Sequence, residues 1–529
     1  MTAMRGGSCT ADVTDWDTRT VIVRTAQGRV RGLARPGDQV FRAIPYTTAP
    51  VGPGRFARPE PHVGWDGIRD ATRPGPRAPG LERTDFGALD LSPVLGTIRE
   101  SAGDYLSVTV TTPDTTARGL PVLVYLHGGG LTSGTGQADL YDGASYARDG
   151  IVLVTVNYRL GAPGWLHLPD APDNRGLLDV LAALGWVAQN IHAFGGDPGR
   201  VTVAGQSAGA MIVACLLAAP AAEGLFCRAI SQSGNGLCAY RPEHAYLVTR
   251  SFAGMLAQPP TAEALGRLPD ERLVQALALM PGIDHAAHGL LDPTLGNSPL
   301  KPVIDGEVLT GQPADVVRAT GRSTAESLLI GSNAQEGNLY LVPHSAARPV
   351  TEADLAAIAA RRSHEPQQLI SGYRARHPDA DPGDLAGRII TDLFNEGSQA
   401  LASAHAAVPG ARTFGYEFAW RSAAFGGTLG ACHCVELPFT FAASNLPALY
   451  GERGLLGPGM STHAPGAGEA IAALAARTHA AWASFVTDAD PGWSARSGHD
   501  LTTMRIDDTW ELIESANSGS SRSVGSPRS

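Results

Sequence analysis

A chain of 529 residues with 43% apolar residues can bury a large core, and no apolar run approaches the roughly 20 residues that a membrane span needs. Its formal charge of −10 is spread thinly, without a basic stripe or an acidic block, which argues against nucleic acid as a partner and gives an anionic membrane no handle. The cysteines (Cys9, Cys215, Cys227, Cys238, Cys432 and Cys434) show no framework spacing, so free thiols in a reducing, cytoplasmic compartment are expected.

Along the chain, residues 1–20 lack the charged start and apolar core of a signal peptide and read as a flexible segment. Residues 21–515 read as one domain, and the Ser/Gly/Arg-rich residues 516–529 as a disordered tail. Between them, short β-rich apolar runs alternate with helical patterns, which predicts an α/β fold with helices on both faces of a large, mostly parallel sheet. Strands are expected at 122–126, 151–156, 201–204, 229–231, 327–330 and 413–418. A helix is expected at 176–189, where Leu177, Leu178, Leu181, Leu184 and Val187 recur at helical spacing and Asn174 stands ready as its cap. The alanine- and leucine-rich residues 255–298, and residues 352–377, are expected to be helical insertions that roof the sheet. Lys301 is the only lysine; arginine carries the remaining positive charge, and with abundant alanine and glycine this points to a GC-rich bacterial genome.

Three stretches carry the chemistry. In Gly205-Gln206-Ser207-Ala208-Gly209 a β-branched run stops at a glycine-bordered serine and an apolar helical stretch follows. Such a turn projects a hydroxyl from the end of a sheet, over a helix start whose free N–H groups can meet a developing negative charge. A serine hydroxyl is a weak nucleophile, however, and needs a base, a group to hold that base, and donors for the oxyanion. His127-Gly128-Gly129-Gly130-Leu131, directly after the strand at 122–126, brings consecutive glycine N–H groups to the same sheet edge. Glu336 follows the strand at 327–330 and completes the convergence on the carboxyl ends of the strands, where ligands bind in open α/β sheets. Cys432-His433-Cys434 invites a zinc reading, but no fourth ligand stands at a paired spacing, so neither metal nor cofactor is expected.

Together these stretches resemble the type-B carboxylesterases, the cholinesterase/carboxylesterase branch of the α/β-hydrolases. The match runs almost end to end: Phe41-Arg42-Ala43-Ile44-Pro45-Tyr46, Asn157-Tyr158-Arg159-Leu160-Gly161, Phe194-Gly195-Gly196-Asp197-Pro198, Ser231-Gln232-Ser233-Gly234, Gly331-Ser332-Asn333-Ala334-Gln335-Glu336-Gly337 and His433-Cys434-Val435-Glu436-Leu437-Pro438-Phe439. By position, the resemblance implies Ser207 as nucleophile, His433 as general base and Glu336 as the acid that orients it, in the chain order the α/β-hydrolase topology expects. It implies an oxyanion hole from the N–H groups of Gly129, Gly130 and Ala208. It makes Ser233 a supporting serine behind the acid, and Arg159 with Asp179 a structural ion pair.

Two departures bear on substrate. Gln206 stands where the family usually carries glutamate, and a neutral amide there weakens any preference for cationic substrates. Residues 78–105 hold no cysteine and carry Phe86 but no tryptophan, so the choline-gripping loop of cholinesterases is missing. The expected activity is serine ester hydrolysis through an acyl-enzyme on small-to-medium, mostly neutral esters, in a pocket flanked by Leu131, Phe425 and Phe439. The same triad also serves acyl transfer, lactone or carbamate cleavage and biosynthetic cyclisation, and a non-catalytic binding protein would retain the fold alone. An imidazole base sets the acidic limb of activity at roughly pH 6–7.

Overall fold

The structure, a computed structural model, describes residues 19–97, 103–280, 283, 288–292, 298–345, 348–458, 467–496 and 502–514. The expected tail at 516–529, and all but the end of the expected flexible segment at 1–20, lie outside the described residues.

All six expected strands form, five of them within a longer one; the strand expected at 151–156 spans Val152–Val156. The sheet comprises β1 (Thr20–Thr25), β2 (Gly28–Arg35), β3 (Asp38–Pro45), β4 (Ser107–Thr112), β5 (Leu120–Leu126), β6 (Val152–Val156), β7 (Gly196–Gln206), β8 (Arg228–Gln232), β9 (Ser327–Asn333), β10 (Arg412–Phe418), β11 (Thr502–Ile506) and β12 (Trp510–Glu514), with Ile68–Asp70 beside β2. Its order is β1-β2-β3-β4-β6-β5-β7-β8-β9-β10-β11-β12. From β6 to β11 every neighbour is parallel, and antiparallel pairings finish both edges. The parallel strands are buried on both faces, which is why their sequences read as nearly continuous apolar runs.

Alternation along those strands divides the core in two. Val122, Val124 and Leu126 of β5 point to one face with Val201 and Val203 of β7, where they meet Leu177, Leu184 and Val187 of helix α1 (Arg175–Asn190) and Ile212 and Leu216 of α2 (Ala208–Ala218). Leu123 and Tyr125 point to the other face, against Trp482, Phe485 and Val486 of the helix Ala467–Asp488. By length and composition α1, with the turn that continues it to Phe194, could cross a membrane; here its apolar stripe is packed on the sheet.

Two expectations about helices need correction. Asn174 occupies the N-cap position of α1 in a left-handed conformation, but its side chain makes no cap bond. Its Nδ2 donates to Val303 O and Asp305 Oδ2, and its Oδ1 accepts from Val303 N, so tertiary partners have claimed the amide. Residues 255–298 are not one helical run: α3 (Pro242–Met255) precedes them, and Ala262–Gly266 and Asp270–Ala278 are separate short helices, because Pro259, Pro260 and Pro269 interrupt the backbone ladder. Much of 281–297 lies outside the described residues. Residues 352–377 likewise split into α4 (Glu352–Arg362) and α5 (Pro366–Arg376), with Pro366 opening the second helix. These pack with α6 (Pro382–Ala406) around Leu355, Ile370, Tyr373 and Ile389 as a small third core, the helical insertion expected over the sheet.

Candidate active site

The serine turn is fixed by sterics. Ser207 stands between β7 and α2 at φ 56°, ψ −119°, a conformation a non-glycine residue holds only when its surroundings over-determine it. They do so here. A Cβ on Gly205 would lie 2.4 Å from Gly209 C, and one on Gly209 would lie 2.0 Å from Leu126 O, so strand, turn and helix close up only because both positions are glycine. Ser207 N donates to Gln232 O at 2.9 Å, extending the sheet by one bond past the end of β7.

Beyond β5, Gly129 takes φ 110° and Gly130 φ 65°. Ser133 holds this loop from both its N–H (3.0 Å) and its hydroxyl (2.8 Å), each donating to Gly129 O. The Ser298 hydroxyl donates to Gly130 O at 2.6 Å. With the carbonyls engaged from behind, the N–H groups of Gly129, Gly130 and Ala208 donate to no described residue. His127 underpins the loop: its ring stacks on Tyr158 with centroids 4.5 Å apart, and the Tyr158 hydroxyl donates to His127 O at 2.7 Å. Burial pushes the His127 imidazole down to about 4, which suits a packed, neutral ring.

Glu336 and His433, far apart in sequence, meet in the interior. His433 Nδ1 lies 2.5 Å from Glu336 Oε2 with both side chains buried, and since a carboxylate only accepts, Nδ1 carries the proton. Glu336 Oε1 accepts from Asn333 N at 2.6 Å, which fixes the carboxylate on its own turn after β9. Tyr340 and Phe394 enclose the ring, with centroids 5.7 Å and 4.9 Å away. Burial disfavours the imidazolium, yet its neighbours Tyr340, Cys434 and Glu336 hold His433 well above the ordinary histidine range. Burial also raises both the Tyr340 phenol, to about 12, and the Cys434 thiol. Both are therefore uncharged at neutral pH, and the Glu336 carboxylate is the partner that matters.

Gln206 fills the space on the far side of the ring. Its Nε2 lies 3.3 Å from His433 Nε2 and donates to Cys434 Sγ at 3.2 Å. No hydrogen bond joins Ser207 Oγ to His433 Nε2, although both line the same cavity; in resting sites of this kind that contact is often loose and tightens on the substrate.

The cavity, of about 730 Å3 counting its mouth, is lined by Gly129, Gly130, Leu131, Ser207, Ala208 and His433 among others, so the expected nucleophile, base, oxyanion donors and one expected wall residue converge. Two expected wall residues do not. Phe439 is fully buried and packs on Phe418 and Trp420, with centroids 5.1 Å and 4.9 Å away. Phe425, at φ 53° in a short turn, packs against the second core instead of the cavity. Apolar residues near the histidine in sequence thus serve the core beneath it. Ser233 does not support Glu336 either: its hydroxyl is buried with no hydrogen-bond partner among the described residues. The Asn333 main chain, three residues before Glu336, has that role by proximity. Arg159 and Asp179 form the expected ion pair, with Nη2–Oδ1 at 2.7 Å and both side chains fully buried.

Sequence reasoning missed several residues. Glu436, inside a quoted motif, accepts from Asn333 Nδ2 at 2.6 Å, and burial together with Glu336 raises its carboxyl to about 7. Tyr340, Phe394 and Met211 add apolar wall, and Phe86 joins them from the loop that lacks tryptophan. Arg83 and Lys301 bring positive charge to the same cavity. Being the only lysine was the one available signal for Lys301; nothing in the local sequence singles out Arg83. Among the described residues no cluster of three or more His, Cys, Asp or Glu side chains is arranged to hold a metal ion.

A family profile described as "Carboxylesterase family" matches residues 19–517. Phenmedipham hydrolase of Pseudarthrobacter oxydans is 33% identical over 518 residues, covering 93% of this chain and 94% of that protein. Para-nitrobenzyl esterase of Bacillus subtilis (strain 168) is 35% identical over 436 residues, covering 79% of this chain and 82% of its own. Among solved structures, a carboxylesterase from Geobacillus stearothermophilus aligns with a TM-score of 0.78 and 31% identity, over 94% of this chain and 98% of that one.

Proposed function

Because the chain belongs to the carboxylesterase family and is a serine ester hydrolase of the α/β-hydrolase fold, we propose that Ser207 is its nucleophile, His433 its general base and Glu336 the acid that orients the base. The observation that carries this reading is the 2.5 Å contact between Glu336 and His433 Nδ1, which leaves Nε2 as the proton acceptor in the cavity that Ser207 also lines. Ser207 Oγ attacks the ester carbonyl while His433 Nε2 takes its proton. The tetrahedral oxyanion lies among the N–H groups of Gly129, Gly130 and Ala208, at the start of α2. His433 then protonates the departing alcohol, and water repeats the cycle on the acyl-enzyme to release the acid. Each oxyanion donor is worth about 10²–10³ in turnover in sites of this kind.

The substrates are small-molecule esters, and the para-nitrobenzyl ester named for one relative is a suitable first probe. One hydrolase unit spanning 21–515 fits the extent of the family match. A reducing, cytoplasmic setting is supported by Cys215, Cys227, Cys238, Cys432 and Cys434 all being free thiols. The test is Ser207→Ala, read on a nitrophenyl ester and with a fluorophosphonate probe. Turnover should fall by about 10⁴-fold or more, and labelling should vanish, with circular dichroism unchanged. Labelling retained in the variant would refute Ser207 as nucleophile.

A further inference from the structure

The chain has one lysine in 529 residues, Lys301, and it is among the residues lining the cavity that holds Ser207. Lys301 is 2% exposed, and Arg83 lines the same wall. Neither makes a salt bridge or a hydrogen bond with a described residue. In a protein of net charge −10, two cations in a mostly apolar cavity that make no ion pair with a described carboxylate, Asp292 acting on Lys301 only through its charge, are costly to keep.

Their placement is built. A Cβ on Gly130 would lie 3.6 Å from Arg83 Nη1, which puts the guanidinium beside the loop whose N–H groups face the reacting carbonyl. The Lys301 backbone is anchored at both ends. On one side the Ser298 hydroxyl ties the segment to Gly130 O; on the other, Tyr240 N donates to Pro302 O at 2.8 Å and Val303 N donates to Asn174 Oδ1. The Asn174 amide, diverted from capping α1, thereby holds the strap that carries the lysine. Burial lowers the Lys301 amine to about 8, partly offset by Asp292 and Cys238, while the Arg83 charge lowers it further. The amine still carries its proton at neutral pH, and an incoming anion would satisfy both groups at once.

Resting on the serine-esterase reading above, we propose that Arg83 and Lys301 form an anion-recognition subsite and that the enzyme's preferred substrates are esters bearing a free carboxylate. This narrows the neutral-ester expectation, since Phe425 and Phe439, two of the three wall residues it named, prove to lie in the core. The guanidinium and ammonium would engage the carboxylate while the apolar wall of Phe86, Leu339 and Phe394 takes the connecting chain.

The test compares matched ester pairs. With the charge on the acyl side, 4-nitrophenyl hydrogen adipate is set against 4-nitrophenyl heptanoate. With the charge on the alcohol side, 4-carboxyphenyl butyrate is set against phenyl butyrate. For each pair the anionic-to-neutral ratio of kcat/KM is measured in the parent, in Lys301→Met and in Arg83→Met. The ratio should fall at least fivefold in both variants for at least one pair, and that pair identifies which side carries the charge. A smaller change in both pairs overturns the proposal, because general damage to the site cancels in the ratio. Should Lys301→Met fail to fold, Arg83→Met, at a partly exposed position, decides alone. A parent that turns over no ester at all would instead refute the esterase reading.

Discussion

As the proposed base, His433 must be neutral to accept the serine proton, so the groups around it set the working pH range. Burial alone would lower its pKa and extend activity into acid, but its neighbours Tyr340, Cys434 and Glu336 raise it. The sign follows directly: neutral imidazole is lost as pH falls through the raised value. The acidic limb of kcat/KM should therefore lie above the ordinary histidine pKa of about 6.5, higher than composition and motif alone suggest. Gln206 offers a control. Its amide faces Nε2 and favours the unprotonated nitrogen, whereas Gln206→Glu would place a carboxylate there and favour the imidazolium. The limb in that variant should move further up in pH. A pH-rate profile on a neutral ester reads both, and a limb below pH 6 in the parent would contradict the arrangement.

At the scale of elements, the serine turn was legible because its geometry tolerates only particular residues. Gly205 and Gly209 are required by contacts of 2.4 and 2.0 Å that any Cβ would make, so the motif records a steric necessity. Gly209→Ala should destabilise the fold by about 1–3 kcal/mol or more, and since Leu126 O is main chain the strain falls on the start of the glycine loop at 127–131, which carries proposed oxyanion donors. A lower denaturation midpoint together with reduced kcat on a nitrophenyl ester would show both effects; an unchanged midpoint would refute the steric argument. The strands were readable for a related reason, since burial on both faces leaves little choice but apolar, β-branched residues. Side-chain allegiance was not readable. Asn174, Ser233, Phe425 and Phe439 each had the right type at the right place in sequence; tertiary partners diverted Asn174, Phe425 and Phe439, and the Ser233 hydroxyl has no hydrogen-bond partner among the described residues. Arg83 and Lys301 were invisible as a pair because 218 residues of chain and a folded strap separate them.

At the scale of the molecule, the segment after β6 links the cores to the site through one buried charge cluster. Arg159 donates to both Asp179 oxygens, and its other N–H groups reach Arg55 O and Ala57 O. Tyr158, its neighbour in the chain, stacks on His127 beneath the glycine loop at 128–130, and Gly161 N donates to Leu131 O at 2.8 Å. Arg175 is fully buried nearby with carbonyls as its hydrogen-bond partners, and burial together with the Arg159 charge lowers its guanidinium to about 9. Among the described residues, Asp179 is thus the fully buried carboxylate hydrogen-bonded in a region holding two buried cations. Removing it does more than delete a contact, because it leaves those charges uncompensated in the interior. Asp179→Asn, nearly isosteric, should cost about 3–5 kcal/mol, read as a drop in the guanidinium midpoint. Glu263→Gln, which removes the exposed Glu263–Arg267 pair, should change the midpoint by less than about 0.5 kcal/mol. Because the Arg159 backbone continues into the Leu131 contact, Asp179→Asn should also lower kcat/KM under conditions where the protein remains folded. Equal midpoints for the two variants would mean that this charge cluster does not hold the cores to the site.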